Sequence, residues 1–369
     1  MRFEIRVLNN CFSFCIIVNM PSIRAVAKEA GVSIATVSRV LNSHPSVGPE
    51  VRTRVLSAAN RLGYISNVGK RATTYLAFTF TGPVTFSSPY DSMLMAGVHD
   101  AMEETGFDLA ILSPQRDKKP NETYSQYFMR KGVRGAILRT TTSTRHVCIE
   151  IADEGFPCVV VGSRFEDENI NYVYGDSRPT SRQAIEHLIS LGHRRIGIAL
   201  GLIEDSDHTD RLNGYRQALE AHNLPYDPNL IYRIPAQRPD GAQLLKRILA
   251  SSAPPTALFI TDPDVAIGAL NQANLLGVKI PDELSIVGMD DGDNRKDAFP
   301  KLSAVCQDAT QIGYEAGAAL KRIIDTHPDE RQPVRLALPT WFEVHDTTAP
   351  PPGQPTRVLP NGTRVGVES

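Results

Sequence analysis

Between residues 23 and 62 the apolar positions recur at helical spacing in three short blocks. In the first, Ile23, Val26, Ala27 and Ala30 lie at intervals of three, four and seven behind Ser22, an N-cap residue, and Gly31 supplies the stop. A two-residue bend, Gly31-Val32, leads to Ser33, a second N-cap. The block that follows gathers Val37, Val40 and Leu41 on one side and Ala35, Ser38, Arg39 and Asn42 on another. The third opens with Gly48 and Pro49, buries Val51, Val55, Ala58 and Leu62, and ends at Gly63. From residue 76 onward the pattern changes to short apolar runs alternating with amphipathic segments. Candidate strands are 76–80, 109–112, 135–138, 158–161, 196–200, 257–260 and 285–287. Unbroken Val/Ile/Leu runs followed by helical patterns are the mark of parallel strands buried on both faces, so the body is expected to be doubly wound α/β.

The polar face of the second block is small and cationic. A helix entering a DNA major groove needs short side chains for close approach and an Arg able to meet a guanine edge or a phosphate. Ser33, Ile34, Ala35, Thr36, Ser38, Arg39 and Asn42 are therefore the candidate base- and phosphate-facing residues. An ordinary amphipathic three-helix bundle would show the same apolar stripes, and charge separates the two readings. Residues 20–75 hold eight basic side chains against Glu29 and Glu50, a net of +6, residues 1–19 add +1, and a total of −2 leaves −9 for residues 76–369. A basic head on an acidic body points to a polyanion partner.

Together MPSIRAVAKEAGVSIATVSRVLN, VGPEVRTRVL and LGY resemble the DNA-binding head of the lactose-repressor (LacI) family of bacterial regulators. The likeness continues in order through GHRRIGIALG, DRLNGYRQAL, LSIVGMDD and LPTWFEVHDTTAP, so that it spans about residues 20–350. It implies an all-α helix-turn-helix head followed by an α/β sensor of two doubly wound parallel-sheet lobes, like a periplasmic binding protein. It also implies a homodimer that reads two halves of a palindromic operator and responds to a small effector.

The expected organisation is a disordered extension or mis-assigned start at 1–19, a head at 20–63, a linker at 64–75, a sensor at 76–348 and a flexible, Pro- and Gly-rich tail at 349–369. Within the sensor the first lobe takes about 76–175 with 303–326, and the second about 177–300 with 333–344; the crossovers come from the resemblance, since periodicity does not give them. In the linker the family carries a short hinge helix whose Leu wedges into the minor groove. Here Asn67 and Arg71 fit that pattern, while Ser66, Lys70 and Thr73 depart from it and Gly69 weakens a helix by about 1 kcal/mol relative to Ala. A full wedge is not expected, although Lys70 and Arg71 can still reach phosphates. The tail lacks the leucine heptads a tetramer would need.

Ligands of open α/β sheets bind beyond the carboxyl ends of the strands, which in two facing lobes share one cleft. Tyr90, Arg139, Arg164, Arg211, Asp262 and Asp290 stand at such ends or at family-matched positions. Guanidinium forks and carboxylates beside an aromatic face suit a hydroxyl-rich ligand such as a sugar. For Arg139 and Asp290 a salt bridge within one lobe explains the residue equally well. Arg211 matches the Arg of the family's Arg-x-x-Gly-Tyr element, which commonly contacts effector. Where the family usually has Asn-Asp, Asp262-Pro263 stands instead.

Enzymatic readings find no dinucleotide or phosphate loop, no nucleophile elbow and no His-Glu-x-x-His. Ser206, Asp207 and His208 form a triad only on paper and read as a polar loop. His187 and His193 flank a helix end, where a polar residue has a structural use. Five scattered cysteines without metal-site spacing argue for a reducing cytoplasm and against a disulfide framework, and no cofactor or membrane is implied. The rival class is a solute-binding receptor without DNA function. An export signal and no basic head would mark it, and this chain shows the reverse.

Overall fold

The computed structural model describes residues 22–41, 44, 46–62, 64, 75–84, 88–103, 105–359 and 364–366. Among the sequence expectations, those for residues 1–19 and for Asn42, Asn67, Lys70 and Arg71 lie outside them. The chain divides into two compact units near residue 66.

The first unit holds helices α1 (Ile23–Ala30), α2 (Ile34–Leu41) and α3 (Pro49–Arg61). Local chemistry sets their ends. The Ser22 side chain accepts from the Ala25 amide, Gly31 closes α1 with φ 63°, and the Ser33 hydroxyl accepts from the Thr36 amide at 3.1 Å. Val26, Ala30, Val37, Val40, Val55, Leu56, Ala58 and Ala59 are buried together and form the core.

In the second unit the chain first runs β1 (Tyr75–Phe80), α4 (Pro89–Ala101), β2 (Asp108–Leu112), α5 (Pro114–Asp117), α6 (Tyr124–Arg130), β3 (Val133–Arg139), α7 (Arg145–Asp153), β4 (Cys158–Val161) and β5 (Tyr172–Asp176). It continues as α8 (Arg178–Ser190), β6 (Ile196–Gly201), α9 (Ser206–Ala221), β7 (Ile231–Ile234), α10 (Arg238–Leu249), β8 (Ala257–Ile260), α11 (Pro263–Leu275), β9 (Ser285–Asp290), α12 (Asn294–Asp297) and β10 (Ser303–Cys306). Last come α13 (Ala309–Asp325), β11 (Arg335–Pro339), β12 (Trp341–Glu343), β13 (Thr356–Val358) and β14 (Arg364–Gly366).

Two six-stranded sheets result, in the orders β11-β5-β4-β3-β1-β2 and β12-β10-β9-β8-β6-β7, parallel except where β12 runs against β10. Each sheet is buried on both faces, which is why its central strands carry no polar alternation. In the first lobe α4 and α13 cover one face, and Tyr127 and Phe128 of α6 with Cys148 and Ile151 of α7 cover the other. In the second, α10 and α11 lie on one face and α8 and α9 on the other. Gly97 and Gly313 let α4 and α13 touch backbone to backbone: a Cβ on Gly97 would collide with the Thr310 carbonyl oxygen, and one on Gly313 with that of Leu94.

The chain passes between lobes three times, and two of the expected returns need correction. Residues Ser303–Cys306 do not go back to the first lobe; their buried run pairs with β9, and only α13 crosses. Likewise β11 stays in the first sheet beside β5, and only Trp341–Glu343 join the second. The tail is also more ordered than its composition implies. Past residue 349 it runs to an antiparallel pair, β13 with β14, and Val358 packs on the core beneath α10. Its anchor is His193, fully buried, whose ring nitrogens reach Thr256 at 2.9 Å, Ser285 at 3.2 Å and the Ala349 carbonyl at 2.9 Å.

Among the described residues no helix is long and apolar enough to cross a membrane. Cys148, Cys158 and Cys306 are buried free thiols.

Candidate DNA-reading face and effector cleft

In the head, α2 turns Val37 and Val40 inward, which leaves Ser33, Ile34, Ala35 and Arg39 on the exposed side with Thr36 and Ser38 half-buried at its border. Ile34, 46% exposed, is an apolar side chain presented to solvent on a helix otherwise well packed. The face is therefore small at the helix N-terminus and cationic toward its C-terminus, as groove entry requires.

The cleft is built where the carboxyl ends of the two sheets face each other. Arg139, the last residue of β3, sends its Nε to Asp91 Oδ1 of α4 at 2.9 Å and its Nη2 across to Asp205 Oδ2 of the second lobe at 3.3 Å. Its guanidinium also lies 5.3 Å from the centre of the Tyr90 ring. Arg145 reaches the Ser206 hydroxyl at 3.2 Å, Arg164 reaches Asp210 at 2.8 Å, and the Thr142 amide donates to the Glu204 carbonyl at 2.8 Å, so the lobes are in contact.

The Ser206-Asp207-His208 stretch is not a loop, contrary to its polar look. It opens α9, with Asp205 as N-cap accepting from the His208 amide and from His208 Nδ1, both at 2.8 Å. Burial would raise the Asp205 carboxyl, but His208 and Arg139 together hold it well below the usual carboxylate range. Asp207 moves the other way: burial, and then the neighbouring Asp205 charge, push it up. Sequence reasoning did not pick out Asp91, Asp205, Asp207, Asp210 or Asp291 as cleft residues. The available signal was local: Asp205 stands three residues before His208, and Leu212, Tyr215, Ala218 and Leu219 continue a helical stripe behind it.

Arg211 is 5% exposed on α9, donates from Nη1 to the Thr261 carbonyl at 2.9 Å, and has an Nε without a partner among the described residues. Arg164 lies over the Tyr174 ring, 5.9 Å from its centre. Asp262 caps α11 by accepting from the Val265 amide at 3.1 Å, and burial raises its carboxyl. Asp290 is corrected: it is 1% exposed and its carboxylate is spent on the Arg295 guanidinium at 2.9 Å within its own lobe. The next residue faces the cleft in its place. Asp291 accepts from Gln307 Nε2 at 2.6 Å and is itself pushed up to about 6 by burial, while the Tyr90 hydroxyl is raised first by its own burial and then by the charges of Asp207 and Asp291. The Tyr90 hydroxyl, Asp207 Oδ1 and Asp210 Oδ2 are buried without a hydrogen-bond partner among the described residues.

Residues 22–67 match the model of the "Bacterial regulatory proteins, lacI family", and residues 185–348 match a "Periplasmic binding protein-like domain". The "Ribose operon repressor" of Haemophilus influenzae is 30% identical over 328 residues, covering 87% of this chain and 97% of that protein. The chain belongs to the LacI family. Its other relatives include the "HTH-type transcriptional regulator DegA" of Bacillus subtilis, 29% identical over 88% of this chain and 97% of that protein. Among solved structures, a "transcriptional regulator CelR-cellobiose complex" superposes with a TM-score of 0.65 at 28% identity, covering 89% of this chain and 99% of that one. Membership makes this LacI-family chain a DNA-binding transcriptional regulator with a helical head and two parallel-sheet lobes.

Proposed function

We propose that the chain is a repressor whose hold on its operator is set by a carbohydrate effector closing the two lobes. The observation that carries this is the meeting, in one cleft, of buried polar atoms from both lobes that have no hydrogen-bond partner in the protein: the Tyr90 hydroxyl from one side, Asp207 Oδ1 and Arg211 Nε from the other. Buried polar groups of this kind are normally satisfied, and a hydroxyl-rich ligand supplies both donors and acceptors. Tyr90, Arg139, Arg164, Arg211 and Asp262 are its proposed contacts, with Asp207 and Asp291 beside them. One relative is named for a ribose operon and one solved relative is a cellobiose complex, which supports the same ligand class.

Operator contacts are assigned to Ser33, Ile34, Ala35, Thr36, Ser38 and Arg39, which line the open face of α2; Asn42, Asn67, Lys70 and Arg71 are assigned from sequence alone. A homodimer is assigned from family membership, since a palindromic operator is read by two heads related by a two-fold axis.

The test is a thermal-shift screen of the full chain against pentoses, hexoses and their disaccharides, followed by operator titration with each hit. A sugar that raises the melting temperature and changes operator affinity is the expected result, and Arg211→Ala should abolish that response while sparing operator affinity itself. If no sugar shifts melting, the carbohydrate assignment falls.

A further inference from the structure

The three passages between the lobes come together at one point, and the Gln307 side chain ties that point to the cleft. A Cβ on Gly175, at the first passage, would lie 2.6 Å from Oε1 of Gln307, at the second, and 3.6 Å from Cγ2 of Thr340, at the third. The passages are also bonded to one another: the Thr340 hydroxyl donates to the Asp176 carbonyl at 2.9 Å and meets the Thr180 hydroxyl at 2.5 Å. A rotation of two lobes is absorbed by the few residues where the chain changes lobe. Whatever moves Gln307 therefore bears on all three passages.

Gln307 is 2% exposed and held from several sides. Its backbone amide donates to the Asp290 carbonyl at 3.0 Å, and its Nε2 donates to Asp291 Oδ1 at 2.6 Å, a short bond to a carboxyl of the cleft. Its Oε1 is buried against Gly175 with no donor among the described residues. Packing accounts for a side chain of this length but not for its chemistry, since Met would fill the space without stranding a buried acceptor. What the amide adds is the bond to Asp291.

We infer that Gln307 is a positioning residue that carries the state of the cleft to the hinge, touching the Asp291 carboxyl at one end and the Gly175 backbone at the other. A ligand that engages Asp291 competes with Nε2 for the same carboxyl. A shift of the amide at that end drives Oε1 against a close-packed backbone at the other, where no side chain can yield. Glycine is required at 175 because a Cβ would occupy the space that Oε1 needs. The inference deepens the lobe-closure part of the proposed function and does not depend on the class of ligand.

Amide hydrogen exchange of the full-length chain without ligand tests this. Gln307→Met keeps the length of the side chain and removes both polar atoms. It should speed exchange at least about tenfold in peptides spanning 173–181, 304–310 and 338–343, while the edge strands β2 and β7 stay as protected as in the parent chain. Asp291→Ala should do the same at 173–181, and so should Gly175→Ala, whose methyl displaces Oε1. The deciding comparison is Asp291→Ala in the Gln307→Met background, where it should add nothing at 173–181. An equal increment from Asp291→Ala in both backgrounds, or no change at 173–181 in any single variant, overturns the assignment. So does a loss of protection in Gln307→Met that extends to β2 and β7, which is the mark of a merely structural role. Because no ligand is added, each of these results leaves the carbohydrate reading standing.

Discussion

Arg139 holds Asp91 of its own lobe at 2.9 Å and Asp205 of the opposite lobe at 3.3 Å with one guanidinium. The side chain is 15% exposed and the two carboxylates 1% and 8% exposed, so water offers little screening. Arg139→Ala removes the opposing charge from both buried acids, and the expected loss is about 3 kcal/mol of stability. Urea denaturation of the full chain checks it, and a midpoint equal to that of the parent protein would rule out this role.

The open face of α2 gives the second prediction. Arg39→Ala should weaken operator binding by about 1–3 kcal/mol and relax discrimination at one base pair, because an Arg bidentate to a guanine edge is lost. Titration of a labelled operator and of its single-base variants measures both quantities. Unchanged affinity with unchanged preference would place Arg39 outside the contact.

His193 makes stability depend on pH. Burial lowers its folded-state pKa below the ordinary 6.5, so the folded protein binds fewer protons there than the unfolded chain. Its contribution is therefore complete above about pH 6.5 and is lost as pH falls from there toward the folded value. Asp291, pushed up to about 6, has the opposite sign: it favours the folded state as it takes up its proton between about pH 6 and its ordinary carboxylate range. The measurement is consequently a difference. His193→Gln should lower the melting temperature at pH 7.5 but show a smaller further drop between pH 7.5 and 5.5 than the parent chain. Parallel pH curves for the two proteins would contradict the argument.

Gly97→Ala probes the contact between α4 and α13. The added methyl collides with the Thr310 carbonyl, a backbone atom that no rotamer change can move. Overpacking of this kind costs about 1–3 kcal/mol, even though Ala is the better helix former by about 1 kcal/mol. A lower denaturation midpoint with an unchanged slope is expected; a higher one would mean the two helices separate freely.

The head was legible because its information is local: caps, a left-handed Gly and apolar residues at helical spacing lie within forty positions. The strands Cys158–Val161 and Ala257–Ile260 were found to the residue for a related reason, since full burial on both faces leaves an unbroken apolar run. Strands β5 and β7 escaped notice. The former mixes Tyr, Gly and Asp, and the latter is an edge strand with alternating burial over four residues. In the cleft the arginines were visible and their partners were not. Asp205 and Asp207 look solvated in sequence, and only the approach of the other lobe buries them. Asp290 and Asp291 differ by one step along the chain, yet Arg295 claims the first and leaves the second to Gln307. That choice is made by α12, which sequence spacing alone did not reveal.

The triple passage between lobes also dictates an order of events during synthesis. The first sheet lacks its β11 edge until residue 339 has been made, and the second lacks β12 until residue 343. A ribosome that has delivered the chain through residue 300 has released all three helices of the head but neither finished lobe. Chains fold from the N-terminus outward as they emerge; here both halves of the body must wait and then close at nearly the same moment. A message broken after the third helix of the head but before that point therefore yields a finished basic head without a finished effector-binding body.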